Sequence, residues 1–357
     1  MYAPICFQKQ LIALEKYEST AFIDVNRDGV MDIVSGAWWY EGPDFKTKHR
    51  IYQPRSLNDY FEDFSTIALD ITGNGYPDIV TGGYFAGELV WLENPGREAK
   101  EWNVHRIPFG NIETTLAADL DGDGELEILP NNPGGPMTVF RKENGNLIPY
   151  ELYAGPQNHG LGVGDLAGNG RNDIVLIDGW LENPGTLAGP WKFHPDFHLS
   201  DSGSVPMLVE DINGDGKPEI IAGNAHNYGL NWWEKTASGW VSHAIDPYNS
   251  QYHCMRWVDI DGDGEKELVT GKRFMAHLGN DPGEYDPVGI VYFKWTAGQF
   301  VKQVIDYGYE PPLSGKGSGI QFDLTDLDGK GYLSLIAPGK DGLYLYRNLG
   351  PSGRNRK

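Results

Sequence analysis

Oxygen-bearing side chains recur at alternate positions in the stretch Asp259-x-Asp261-x-Asp263-Gly264-x-x-Glu267. Carboxylates so spaced, around a glycine that permits a sharp turn, can converge on a hard cation that takes many oxygens, and calcium suits them. The pattern occurs seven times: DVNRDGVMD (24–32), DITGNGYPD (70–78), DLDGDGELE (119–127), DLAGNGRND (165–173), DINGDGKPE (211–219), DIDGDGEKE (259–267) and DLDGKGYLS (326–334). An EF-hand would carry glutamate at the twelfth position between helices. Here that position holds Ser35, Thr81, Pro130, Leu176, Ala222, Thr270 and Ala337, and the carboxylate stands at the ninth instead.

The copies differ as candidate calcium ligands. Repeats 1, 3, 5 and 6 keep all four oxygen side chains: Asp24, Asn26, Asp28 and Asp32; Asp119, Asp121, Asp123 and Glu127; Asp211, Asn213, Asp215 and Glu219; Asp259, Asp261, Asp263 and Glu267. Repeats 2 and 4 keep Asp70, Asn74 and Asp78, and Asp165, Asn169 and Asp173, with Thr72 or Ala167 at the third position. Repeat 7 has Lys330 and Ser334 where acids belong, so its ammonium could stand in for the ion. The expectation is about four structural calcium sites, up to about six. A loop present in every repeat is scaffold, not catalytic machinery.

Function is expected where the repeat is broken. His105, His194 and His243 each follow a tryptophan by three residues and read as structural, with His49 in an equivalent segment. His159 and His253 lie six residues before their loop aspartates, where Glu18 and Glu113 stand in two other repeats. Histidine and carboxylate at one mouth of a channel suit zinc or another divalent ion, or proton transfer near neutral pH. The loops expected on the same face add Trp38, Trp39, Tyr84, Asn131, Asp178 and Lys340 as candidate substrate contacts, together with His226, Lys272 and Arg273. An insertion at 271–289 brings His277 and Tyr285. In this reading Lys272 and Arg273 hold substrate oxygens, His159 or His253 serves as ligand or base, and Tyr285 or His277 as acid.

These residues need a scaffold. Each loop is preceded by an apolar run and followed by a β-branched one, as in DIVSG, EIIAG and ELVTG, then by an aromatic strand such as GAWWYEGP or LNWWEK. That gives four short strands in about 46 residues, the size of one β-propeller blade. Helical periodicity is absent. The seventh repeat ends after its third strand, and FQKQLIAL (7–14) offers the missing fourth. The expected fold is therefore all-β: a single seven-bladed propeller over residues 1–357, closed by the N-terminal strand pairing with the last blade.

Composition fits this reading. Forty-seven glycines, 23 prolines and 44 aromatic residues, with 40% hydrophobic content, describe many short strands around a sizeable core. A net charge of −21 argues against a nucleic-acid partner. No run of 18 apolar residues is present to span a membrane. The start MYAPICFQKQ lacks a basic segment followed by an apolar one, so it does not read as a signal peptide. Calcium loops nonetheless suit a calcium-rich, extracytoplasmic setting. Cys6 and Cys254 allow one disulfide at most. There is no nucleophile elbow and no phosphate loop.

The repeat resembles the FG-GAP or VCBS type of integrin-like propellers. Three stretches also resemble the propeller part of the aldos-2-ulose dehydratases: NHGLGVGDL (158–166) with LENPG (181–185), NAHNYGLNWWEK (224–235) and SQYHCMRWVDIDGDGEKELVTG (250–271). That resemblance implies a metal-bearing propeller that removes water from a keto-sugar, with His159, His226 and His253 as ligands or acid–base groups. The expected function is metal-assisted carbohydrate elimination. The alternative is a calcium-stabilised lectin, or a glycan- or protein-binding propeller without catalysis.

Overall fold

The computed structural model describes residues 4–97, 101–309 and 315–352, and no helix occurs among them. No helix is therefore long and apolar enough to cross a membrane. The chain forms consecutive four-stranded antiparallel sheets, here numbered 1 to 7 by the acidic loop each contains. In each, the loop joins a first strand to a second. In sheet 6 these are Tyr252–Val258 and Glu267–Lys272, followed by Val288–Thr296 and Gln299–Gly308. Sheets 4 and 5 also touch through their first strands, where Gly162 and Val163 lie parallel to Met207 and Leu208.

The second strands explain the β-branched pairs. Successive side chains of a strand point to opposite faces, and a strand covered on both faces is apolar on both. Ile79 packs with Val34 of sheet 1, whereas its neighbour Val80 packs with Ile128 and Phe140 of sheet 3. Ile174 faces Leu129 of sheet 3 and Val175 faces Ile220 of sheet 5. Ile221 and Leu268 share the next layer, then Val269 and Leu335 the one after. Ile336 and Leu345 of sheet 7 pack against Ile33 and Tyr40 of sheet 1. Each consecutive pair of sheets thus has its own dry core, the last with the first included.

The strand Ile5–Ala13 pairs antiparallel with Leu343–Pro351, placing Phe7 opposite Asn348 and Leu11 opposite Tyr344. It supplies the fourth strand of sheet 7. Both cysteines are free thiols, so the disulfide the sequence allows is not formed. Residues from the first strands of all seven sheets, among them Phe22, Ile67, Leu116, Val163, Leu208, Arg256 and Asp323, line one cavity of about 570 Å³.

The acidic loops hold themselves by hydrogen bonds to their own backbone. Asp24 accepts from the amides of Asp28 and Gly29 at 3.0 Å, and Asp259 from Gly262, Asp263 and Gly264 at 2.7, 3.1 and 2.9 Å. Gly264 sits at φ 94°, a left-handed conformation that only glycine adopts without strain. The ninth-position carboxylate accepts the amide after the first aspartate, as Glu127 does from Leu120 N at 2.8 Å.

Candidate functional site

The starts of the first strands and the loops between second and third strands meet at the end opposite the acidic loops. Glu113, His159, His226 and His253 converge there, with one ligand atom from each within 4.8 Å of the others. Glu113 and His159 precede the first strands Thr115–Ala118 and Leu161–Gly164, and His253 lies in Tyr252–Val258. His226 comes from the loop between Glu219–Gly223 and Tyr228–Thr236.

Each group is held by neighbours. His159 Nδ1 donates to Gly203 O at 2.7 Å, and Gly203 N donates back to His159 O at 2.7 Å. Asn131 secures the segment before His159, bonding Gln157 Oε1, Asn158 O and Gly160 N at 3.0 to 3.1 Å. His226 Nδ1 donates to Asp281 Oδ2 at 2.9 Å and His277 Nδ1 lies 3.0 Å from Asp281 Oδ1. Arg273, wholly buried, bonds both oxygens of Glu18 at 2.8 and 2.9 Å and donates to His253 Nε2 at 3.1 Å.

These bonds set protonation. With Nδ1–H given to Asp281, a neutral His226 keeps its lone pair on Nε2. His159 Nε2 is buried 3.2 Å from Glu113 Oε1 in a geometry that makes no hydrogen bond. Burial alone would raise Glu113, but His159, Arg273 and His226 outweigh it and hold the carboxyl at about 2. Burial, then neighbouring positive groups, lowers His226 to about 4 and His253 well below the usual imidazole range. A neutral imidazole at His226 beside the ionised Glu113 is the form in which such side chains ligate a divalent ion. The orphaned Nε2 of His159 fits such an ion, and the Asp281 contact to His226 is of the kind that orients metal-ligating histidines.

Glu113, His159 and His226 form part of the wall of a pocket of about 370 Å³, whereas His253 is buried and does not line it. His159, His226, His277, Arg273 and Glu113 face Tyr60, Phe64, Tyr84 and Phe85 across it. One wall is polar and the other aromatic, a combination common in small-molecule sites.

Several expected site residues are placed otherwise. Glu18 is not a member of the tetrad, because Arg273 takes both its oxygens. Lys272 does not line the pocket; its ammonium bonds Gly283 O and Asp286 O and pins the 271–289 insertion. Trp39 stacks on His49 at 4.1 Å, Trp38 lies under Lys48 at 4.3 Å, and neither lines the pocket. Tyr285 is 74% exposed and outside it. Asp178 accepts from His198 and Asn158 at the surface. Lys340 sits behind the aromatic wall, 4.0 Å above the Tyr60 ring, bonded to Met275 O. Sequence reasoning passed over Tyr60, Phe64 and Phe85 as pocket residues, and over Asp281 as the acceptor shared by two histidines.

At the opposite end, Asp119, Asp121 and Glu127 form one close acidic group and Asp259, Asp261 and Asp263 another. Arg141 and Lys294 reach into them.

All-β sheets built on one acidic loop define a repeat protein of the propeller class. A family model of FG-GAP-like repeats matches residues 70–130 and 211–270, and the chain carries these repeats. It resembles the aldos-2-ulose dehydratase of Phanerodontia chrysosporium, 24% identical over 284 residues that cover 63% of this chain and 30% of that one. Cartilage acidic protein 1 of Homo sapiens is 28% identical over 172 residues, 44% of this chain and 20% of that one. The chain therefore spans less than a third of the length of these curated relatives. Among solved structures, BBS1N in complex with ARL6DN shares the fold with a TM-score of 0.59 at 9% identity, over 99% of both chains.

Proposed function

We propose that this chain is a closed seven-bladed propeller forming one domain, and that it acts on a carbohydrate at the tetrad pocket by metal-assisted elimination of water. Ring closure is supported by the Ile5–Ala13 strand completing sheet 7 and by the core shared between sheets 7 and 1. The bridge of Ser19 to Gln321 joins the same two sheets. The observation that carries the reading is the convergence of three histidines and an ionised glutamate, one of them with an orphaned buried nitrogen, beside an aromatic wall. Resemblance to a sugar dehydratase supports the reaction class.

In this reading Glu113, His159 and His226 would hold a zinc-like or manganese-like ion, while His253, whose Nε2 accepts from Arg273, keeps that guanidinium in place. Such an ion would supply Lewis-acid polarisation of a substrate carbonyl. The aromatic wall seats the apolar face of the sugar ring. Arg273, fixed by Glu18 and His253, keeps a positive charge at the pocket wall. His277, oriented by Asp281, takes the proton from the carbon next to the carbonyl. The electron pair of that C–H bond forms C=C as the β C–O bond breaks, and the hydroxyl leaves with the proton as water. Calcium in the acidic loops is structural.

The test is incubation with aldos-2-uloses and detection of the enone by ultraviolet absorbance, in the wild type and a His277→Ala variant. Enone formation by the wild type, lost in the variant, is expected. Saturable sugar binding without enone would instead make the chain a carbohydrate-binding propeller.

A further inference from the structure

Strand register sorts the acidic loops into two kinds. Continued one residue past the paired stretch, the register sets Glu41, Glu93, Glu182 and Glu234 of the third strands against the ninth loop position in sheets 1, 2, 4 and 5. In sheet 6 Lys294 pairs with Glu267 itself, and the register continued by one residue sets Arg141 and Arg347 at the same place in sheets 3 and 7.

In the first kind the glutamate turns away from the loop to a fourth-strand histidine. His49, His105, His194 and His243 contact these glutamates at 3.0, 2.9, 2.8 and 3.0 Å. Each histidine stacks on a third-strand tryptophan, with ring centres 3.7 to 4.4 Å apart. In the second kind the histidine's place holds Tyr150, Gln303 or Gln10. The basic side chain there turns into the loop. Lys294 Nζ lies 2.7 Å from Asp261, 3.0 Å from Asp263 and 2.9 Å from Glu267, with its side chain only 6% exposed. Arg141 reaches Asp121 at 2.7 Å and also Asp123. Arg347 pairs with Asp328.

We propose that the loops of sheets 3, 6 and 7 are closed by this tethered cation and take no metal ion, so that ion binding is confined to the four loops whose third strand carries glutamate. Calcium would need the oxygens the ammonium or guanidinium already holds, and two positive charges so close repel strongly. The sequence carries the same logic. Loops 3 and 6 have aspartate at the third position, Asp121 and Asp261, where loops 1 and 5 have Asn26 and Asn213. The extra carboxylate is the one that meets the tethered cation. The loops richest in acid, which sequence alone ranks among the best calcium sites, are thus self-neutralised.

The test is calcium stoichiometry by elemental analysis, with thermal melts in chelator and in excess calcium, on the wild type and a Lys294→Met variant. The wild type is expected to hold no more than four calcium ions per chain. The variant is expected to gain one, and to show a larger calcium-dependent rise in Tm. Five or more ions on the wild type, or a variant with unchanged count and unchanged calcium-dependent Tm, would overturn the proposal. Arg141→Met supplies the same reading in sheet 3 if Lys294→Met fails to fold even in calcium.

Discussion

His226 and His277 stack face to face, with ring centres 4.1 Å apart and planes 7° from parallel, each held by one oxygen of Asp281. One carboxylate from the insertion thus orients a member of the tetrad and the neighbouring imidazole together. Asp281→Asn is expected to weaken metal binding at the tetrad about 10- to 100-fold, the usual effect of losing such a contact. Calorimetric zinc or manganese titration checks this, with a melt to show that the fold persists. Unchanged affinity would make Asp281 a loop anchor only.

Asp63 is wholly buried near Glu18, and its Oδ1 has no hydrogen-bond partner. Burial first, and the Glu18 charge second, push it well above the usual carboxylate range. The folded state therefore keeps a proton that the unfolded chain releases above pH of about 4. Stability from this group is unaffected below that pH and falls as pH rises through it. In Asp63→Asn the decline of Tm between pH 5 and 8 should be shallower than in the wild type. Parallel curves would refute this.

Ile220 is fully buried between sheets 4 and 5. Ile220→Ala should cost about 2–5 kcal/mol in a denaturant melt. Val304, 59% exposed on a fourth strand, should change stability by no more than about 0.5 kcal/mol on truncation to alanine. Equal effects would contradict the placement of the inter-sheet cores.

Removal of residues 1–13 strips the partner from Leu343–Pro351 and leaves an open sheet edge. The truncated chain should melt lower and self-associate in sedimentation experiments. A monomer with unchanged Tm would argue against closure through this strand.

Much of the fold was legible because each repeat prints the same physics: a turn aspartate, a glycine, and two adjacent apolar residues serving opposite faces. Ile33 and Val34 or Ile220 and Ile221 could be assigned to two cores by alternation alone. His159 and His253 were visible as breaks in a repeated position. Their partners were harder to see. Arg273 meets Glu18 across 255 residues of sequence, Tyr60 sits in a connection between sheets that no repeat position marks, and Phe64 holds the position six before Asp70 but carries no chemistry of its own to flag it. Trp38 and Trp39 misled because aromatics on a third strand look like binding residues until register sets Trp39 against His49. Arg141 and Lys294 were passed over because a base one strand away only matters once pairing places it opposite Glu127 and Glu267.

The central claim, a divalent-ion site at Glu113, His159 and His226, is tested most directly by elemental analysis of the purified protein beside a His159→Ala/His226→Ala variant. The account predicts about one zinc-like or manganese-like ion per wild-type chain, lost in the variant while calcium is retained, as open imidazole nitrogens and an ionised carboxylate require. A wild type that holds only calcium, even after incubation with these metals, would contradict it.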